Sequence, residues 1–142
     1  MNKVNVTIDT NVLVGALKSN RGASYKLLMS LVEGSFVPNV SVPLFIEYES
    51  VAKRSGLIVG LTEKEIDDIL SYFLSQSNIQ KIYYLWRPLL KDPGDDLVLE
   101  VAVKSQSEYI ITFNKKDFVG CEKFGIELVT PYEFMTIRGL LS

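Results

Sequence analysis

Residues 4–17 read VNVTIDTNVLVGAL, and this stretch decides the fold. Val4 to Ile8 is a short, mostly β-branched run, which suits a buried strand. Asp9 then stands alone at its tip, beside Thr10 and Asn11. From about Asn11 to Leu17 the apolar residues take helical spacing. A buried strand that passes through one acid into a helix is how a parallel α/β unit begins.

The same pattern recurs outward along the chain. ASYKLLMSLVEG has helical spacing at Tyr25, Leu28, Met29 and Val32, and Gly34 stands where a helix would end. SFVPNVS is a second short strand, in which Pro38 is an unusual guest. SVPLFIEYESVAKRSG reads as a helix capped by Ser41, with Pro43 in its first turn and Leu44, Tyr48, Val51 and Ala52 on its apolar stripe. LTEKEIDDILSYFLSQ opens with Thr62 and Glu65 in a capping-box pattern and carries Ile66, Ile69, Leu70 and Phe73 on one face. IQKIYYL is a third strand, and WRPLLKDPGD has the composition of a loop. DDLVLEVAVKSQ is a helix with an acidic first turn. YIITF is a fourth strand, NKKDFVGCEKFG a loop with one helical turn, and IELV a last strand. TPYEFMTIRGLL closes with a helix capped by Thr130, with Pro131 and Glu133 completing the signature. Strands that are apolar runs, alternating with helices, predict an α/β three-layer sandwich with a central parallel sheet flanked by helices. In such sheets chemistry sits at the carboxyl ends of the strands. That edge should gather Asp9, the pair Asp95 and Asp96, and Thr112, Asn114 and Asp117.

Composition narrows the chemistry. The 142 residues suit a single domain spanning 1–142, and 47% of them are hydrophobic, enough for a core. Fifteen basic residues against 17 acidic give a net charge of -2, so any nucleic-acid contact must come from a local patch. The single cysteine, Cys121, rules out an intramolecular disulfide and suits a reducing compartment. No signal-like N-terminus or membrane-length apolar run is present, so a cytoplasmic protein without membrane contact is expected. There is no histidine. Ser-His-Asp and Cys-His hydrolases and His-ligated zinc sites are thereby excluded.

Each acid has an ordinary explanation. Asp9, Asp95, Asp96 and Asp117 can each cap a helix or turn, and Glu47 can lie at the solvent edge of its helix. Their conjunction says more. Carboxylates brought together raise one another's pKa unless a cation intervenes, and an all-oxygen set suits Mg²⁺ or Mn²⁺. Such a site can polarise a phosphoryl oxygen and activate water without histidine. A metal-dependent phosphodiester hydrolase follows as the expectation.

The chain also resembles the PIN-domain ribonucleases, in particular the toxin components of toxin–antitoxin pairs. The likeness runs from VTIDTNVLVGAL through SVPLFIEYESVAKR and DPGDDLVLEVAVKSQSEYIITFNKKDF to the last helix. It implies that Asp9 in DTNV, Glu47 in FIEYESV and Asp96 in DDLVLEVAV are the first three acids of a catalytic site, with Asp95 the near alternative to Asp96. Many relatives carry an aspartate two residues after the threonine that ends the fourth strand. Here that residue is Asn114, and Asp117 in NKKDF is the candidate fourth carboxylate. Asp9, Asp96 and Asp117 would bind the metal, and Glu47 or Asp117 would orient water. Asn11, Thr112 and Asn114 would orient ligands. The resemblance implies hydrolysis of single-stranded RNA with Mg²⁺ or Mn²⁺, a small antitoxin protein as partner, and a homodimer.

RNA contact has a weaker signature. Lys18, Arg21, Lys115 and Lys116 could form a phosphate-binding rim, and Trp86-Arg87-Pro88 could supply stacking, while Tyr48, Tyr83 and Tyr84 read as core. Two other readings remain. A haloacid-dehalogenase-type phosphatase also starts with an acid after its first strand, but wants a second acid where Asn11 stands. A non-catalytic PIN-like module that binds RNA or protein would accommodate Asn114. A Rossmann-type cofactor site is disfavoured, because no glycine-rich loop follows the first strand.

Overall fold

The computed structural model describes residues 3–54, 58–81 and 92–140. Five strands form one parallel sheet: β1 (Val4–Ile8), β2 (Phe36–Val40), β3 (Asn78–Ile79), β4 (Tyr109–Ile111) and β5 (Glu127–Val129). Their spatial order is β3-β2-β1-β4-β5. Six helices flank it: α1 (Thr10–Lys18), α2 (Ala23–Met29), α3 (Val42–Ala52), α4 (Glu63–Ser75), α5 (Pro93–Lys104) and α6 (Pro131–Ile137). The result is the expected three-layer α/β sandwich. Helical crossovers carry the chain one way from β1 to β3, and α5 then brings it back to the far side of β1. The order therefore reverses between β1 and β4. No described helix is long and apolar enough to cross a membrane.

Register holds the strand ends level. Val6 and Ile8 of β1 pair with Tyr109 and Ile111 of β4, so Asp9 and Thr112, the next residues, emerge side by side. The core is continuous through both helical layers, with Val6, Val40, Leu44, Tyr48, Phe73, Val98, Ile110 and Phe134 almost fully buried. Edge-to-face ring pairs of Tyr48 with Phe73 and of Phe36 with Phe134 lock the helices to one another and to the sheet.

Several local expectations are met. Ser41 accepts from the Leu44 N–H, and Thr62/Glu65 and Thr130/Glu133 both close capping boxes. Others need correction. The inward face of the second helix is Leu27, Leu28 and Leu31, while Met29 and Val32 are exposed. The helix changes to a 3-10 turn at Ser30–Glu33, whose tighter winding carries Val32 outward. The second strand is not among them: Pro38 lies within β2 as expected, in register with Val6, and the pairing of β2 to β3 starts at Asn39. Asp92, Pro93 and Gly94 start α5 rather than ending a loop: Asp92 caps it by accepting from the Gly94 N–H, and Pro93 takes the first helical position. The fourth strand stops at Ile111, and two 3-10 turns follow it, Lys115–Phe118 and Cys121–Phe124. Most of the third strand as expected, together with Tyr83, Tyr84 and Trp86-Arg87-Pro88, lies outside the described residues.

Candidate active site

In an open parallel sheet, the place where strand order reverses leaves a crevice beyond the strand ends. Asp9 and Thr112 stand side by side on one of its walls. Asp9 occupies the cap position of α1 but makes no side-chain capping bond. Its Oδ2 instead accepts a 2.8 Å hydrogen bond from the Thr112 Oγ1 hydroxyl. Thr112 Oγ1 in turn accepts from the Asn114 backbone N–H at 3.0 Å. Below this chain, the Asp9 N–H donates to the Ile111 carbonyl at 2.9 Å and the Thr112 N–H to the Val129 carbonyl at 2.8 Å. From α3, the fully buried Tyr48 hydroxyl donates to the Ile8 carbonyl, one residue before Asp9. Three elements thus fix one carboxylate. It is only 5% exposed, and burial raises its pKa. The Thr112 hydroxyl and the Thr10 backbone oppose the rise, and the charges of Asp117 and Asp92 add to it.

The opposite wall comes from α5 and α3. Asp92 caps α5, and Asp95 and Asp96 lie in its first turn, where the helix dipole favours negative charge. Asp96 is buried and Asp95 half-buried. Burial pushes the Asp95 carboxyl up to about 7, with the charges of Asp9, Asp92, Asp117 and Asp96 adding to it in that order. Glu47 reaches this turn from α3 through a gap left by Gly94. A Cβ on Gly94 would stand 2.7 Å from Glu47 Oε2 and 3.2 Å from Asp92 Oδ1. Glycine at 94 therefore seats the Glu47 carboxylate against the start of α5.

The expected site residues divide accordingly. Asp9, Thr112 and Asn114 are joined by hydrogen bonds, and Asn114 enters through its backbone. Asp95 and Asp96 share the first turn of α5, and Asp117, exposed on the 3-10 turn after β4, adds its charge to both walls. Glu47 sits at Gly94. Asn11 is exposed in the first turn of α1. Of the four cations, Lys115 and Lys116 lie on the 3-10 turn after β4. Lys115 pairs with Glu133 of α6 at 2.7 Å, with Lys116 exposed beside it. Lys18 ends α1 and Arg21 follows it, roughly 14 Å from Asp9 along a nine-residue helix. There they border a cleft of about 430 Å³ with Leu17, Tyr25, Leu28 and Ile69.

Two further acids belong to α5, Asp92 at its cap and Glu100 in its third turn. Asp92 looked like loop chemistry, although Pro93 at the next position marked it as a cap. Glu100 is buried on α5, and its spacing of four from Asp96 was the available signal.

Among the described residues, no three acidic side chains stand close enough to share a metal ion as they are placed. The donor chemistry nevertheless fits a hard divalent cation. The donors are all oxygen, and the like charges around Asp9 and Asp95 add to the upward shifts that burial gives them. No curated protein matches the chain. A family model described as the PIN domain matches residues 5–116, from β1 to the turn just before Asp117. PIN domains are generally nucleases and typically use divalent metals.

Proposed function

The chain belongs to the PIN-domain family, and from that premise we propose that it is a metal-dependent endoribonuclease acting on single-stranded RNA. One observation carries the reading. A buried carboxylate, Asp9, is held at the switch point by the Thr112 hydroxyl in the field of further acids, one of which, Asp95, titrates at about 7. Asp9, Asp96 and Asp117 are the residues that would hold Mg²⁺ or Mn²⁺. When bound, the cation supplies Lewis acidity toward a phosphoryl oxygen and a lowered pKa for water. Glu47, seated at Gly94, orients the attacking water. Thr112 aims Asp9, while Asn11 and Asn114 present polar groups at the crevice. The motifs DTNV, FIEYESV, DDLVLEVAV and ITFN resemble those of toxin components, which supports a toxin role with a small antitoxin protein as partner and a homodimeric assembly.

Asn114 favours a second reading, a PIN module that binds RNA without cleaving it. Asn11 stands where a haloacid-dehalogenase phosphatase needs an acid, and that reading is dropped. The test is cleavage of a set of labelled single-stranded RNAs with Mn²⁺ or Mg²⁺, with EDTA, and by Asp9→Asn. Cleavage that requires the metal and is lost in Asp9→Asn is the expected result. Equal cleavage by both proteins would overturn the assignment, and RNA binding without cleavage would put the non-catalytic module in its place.

A further inference from the structure

Phe113 lies between two members of the Asp9 hydrogen-bond chain, Thr112 and Asn114, yet it is 51% exposed. Exposed apolar residues are common singly, so its surroundings decide the matter. Its ring edge reaches α1 at Gly15, where an added Cβ would stand 3.7 Å from Cε2. Asn11, Gly15 and Lys18 recur at spacings of four and three, so they share one face of α1. Asn11 and Lys18 are exposed and Gly15 is partly so. This face starts beside the acids, passes the aromatic ring and ends at a cation. We propose that Phe113 stacks against a nucleobase of single-stranded RNA lying along α1, one step away from the acidic crevice. The sequence of surfaces is the one such strands recognise: an aromatic face for a base and a positive charge for backbone phosphate. Thr112 and Asn114 hold the ring's own backbone, so the stacking surface and Asp9 keep a fixed relation.

The inference rests on the nuclease reading for its substrate, and binding separates the two. The test protein is Asp9→Asn, which on the nuclease reading should hold RNA without cutting it, titrated with a labelled ten-nucleotide single-stranded RNA in Mn²⁺ and followed by fluorescence anisotropy. Adding Phe113→Leu should weaken binding roughly 5- to 150-fold, the range for losing one base–aromatic stack. Phe113→Trp should restore it. One abasic nucleotide, placed in turn along the RNA, should weaken the parent at one position and leave the Phe113→Leu protein unchanged there. Equal melting temperatures would show that the fold is intact. If Phe113→Leu binds as tightly as its parent, stacking is overturned while the nuclease assignment stands. If binding depends on Phe113 but the wild-type protein cuts no RNA, stacking stands and the nuclease assignment falls. If no RNA binds, both fall.

Discussion

The two walls of the acidic crevice are built by different means. On the β1–β4 side, one carboxylate is held by sheet register, by the Thr112 hydroxyl and, through Ile8, by Tyr48. On the α5–α3 side, several carboxylates are held by a helix start and by a missing side chain at Gly94. The first wall is hydrogen-bonded and preorganised. The second is crowded with like charge, which adds to the burial that pushes Asp95 up to about 7. The difference teaches a division of labour: one wall sets direction, and the other supplies negative charge that a cation can relieve.

Three substitutions break this comparison at different points. The largest effect after Asp9 itself belongs to Thr112→Val. It removes the only side-chain donor seen at Asp9 Oδ2 among the described residues and leaves the Asn114 N–H without that acceptor. Loss of a group that orients a metal ligand costs about 10- to 100-fold. Mn²⁺-dependent RNA cleavage should fall by that factor, with Mn²⁺ affinity, read by calorimetry, falling in parallel.

Gly94→Ala strikes the other wall. The new Cβ would meet Glu47 Oε2 at 2.7 Å, and Glu47 can yield by swinging its carboxylate away. Alanine is the better helix former by about 1 kcal/mol. Stability in urea should therefore hold or rise slightly while cleavage drops. A parallel loss of both would mean that Gly94 serves only the packing of α5.

Asp95→Asn has the smallest effect, and it depends on pH. The carboxyl titrates at about 7 in the folded protein, against about 4 when unfolded. The folded state therefore holds the proton more tightly, and its contribution to stability is complete below pH 4 and lost as pH rises through 7. Without metal, Asp95→Asn should melt above wild type at pH 8, with the gap closing toward pH 4. A gap that stays constant with pH would remove Asp95 from the crowded set.

Much of this was legible in the sequence because it is local. The Thr62/Glu65 and Thr130/Glu133 boxes, the Ser41 cap and the strand–acid–helix opening depend on neighbours within a few residues. Asp9 could be singled out because a chain without histidine must place its chemistry on carboxylates. What escaped depends on distant contacts or on a change of winding. The ion pair of Lys115 with Glu133 and the seat of Glu47 at Gly94 join residues far apart in the chain. Val32 faces outward where the helix tightens into a 3-10 turn after α2. Asp92 was hidden among three acids within five residues, all of a type that can cap a helix. Phe113 looked like the end of a buried strand, and only the early stop of β4 at Ile111 leaves it in the open.

The central claim is that these acids form a cation site anchored on Asp9. Its most direct test is thermal melting of the wild-type protein and Asp9→Asn at pH 8, each with and without Mn²⁺. Binding to the folded state at 100 times the dissociation constant adds about 2.7 kcal/mol, so the wild type should melt several degrees higher with Mn²⁺ and Asp9→Asn should gain almost nothing. An equal rise in both proteins, or none in the wild type at millimolar Mn²⁺, would contradict it.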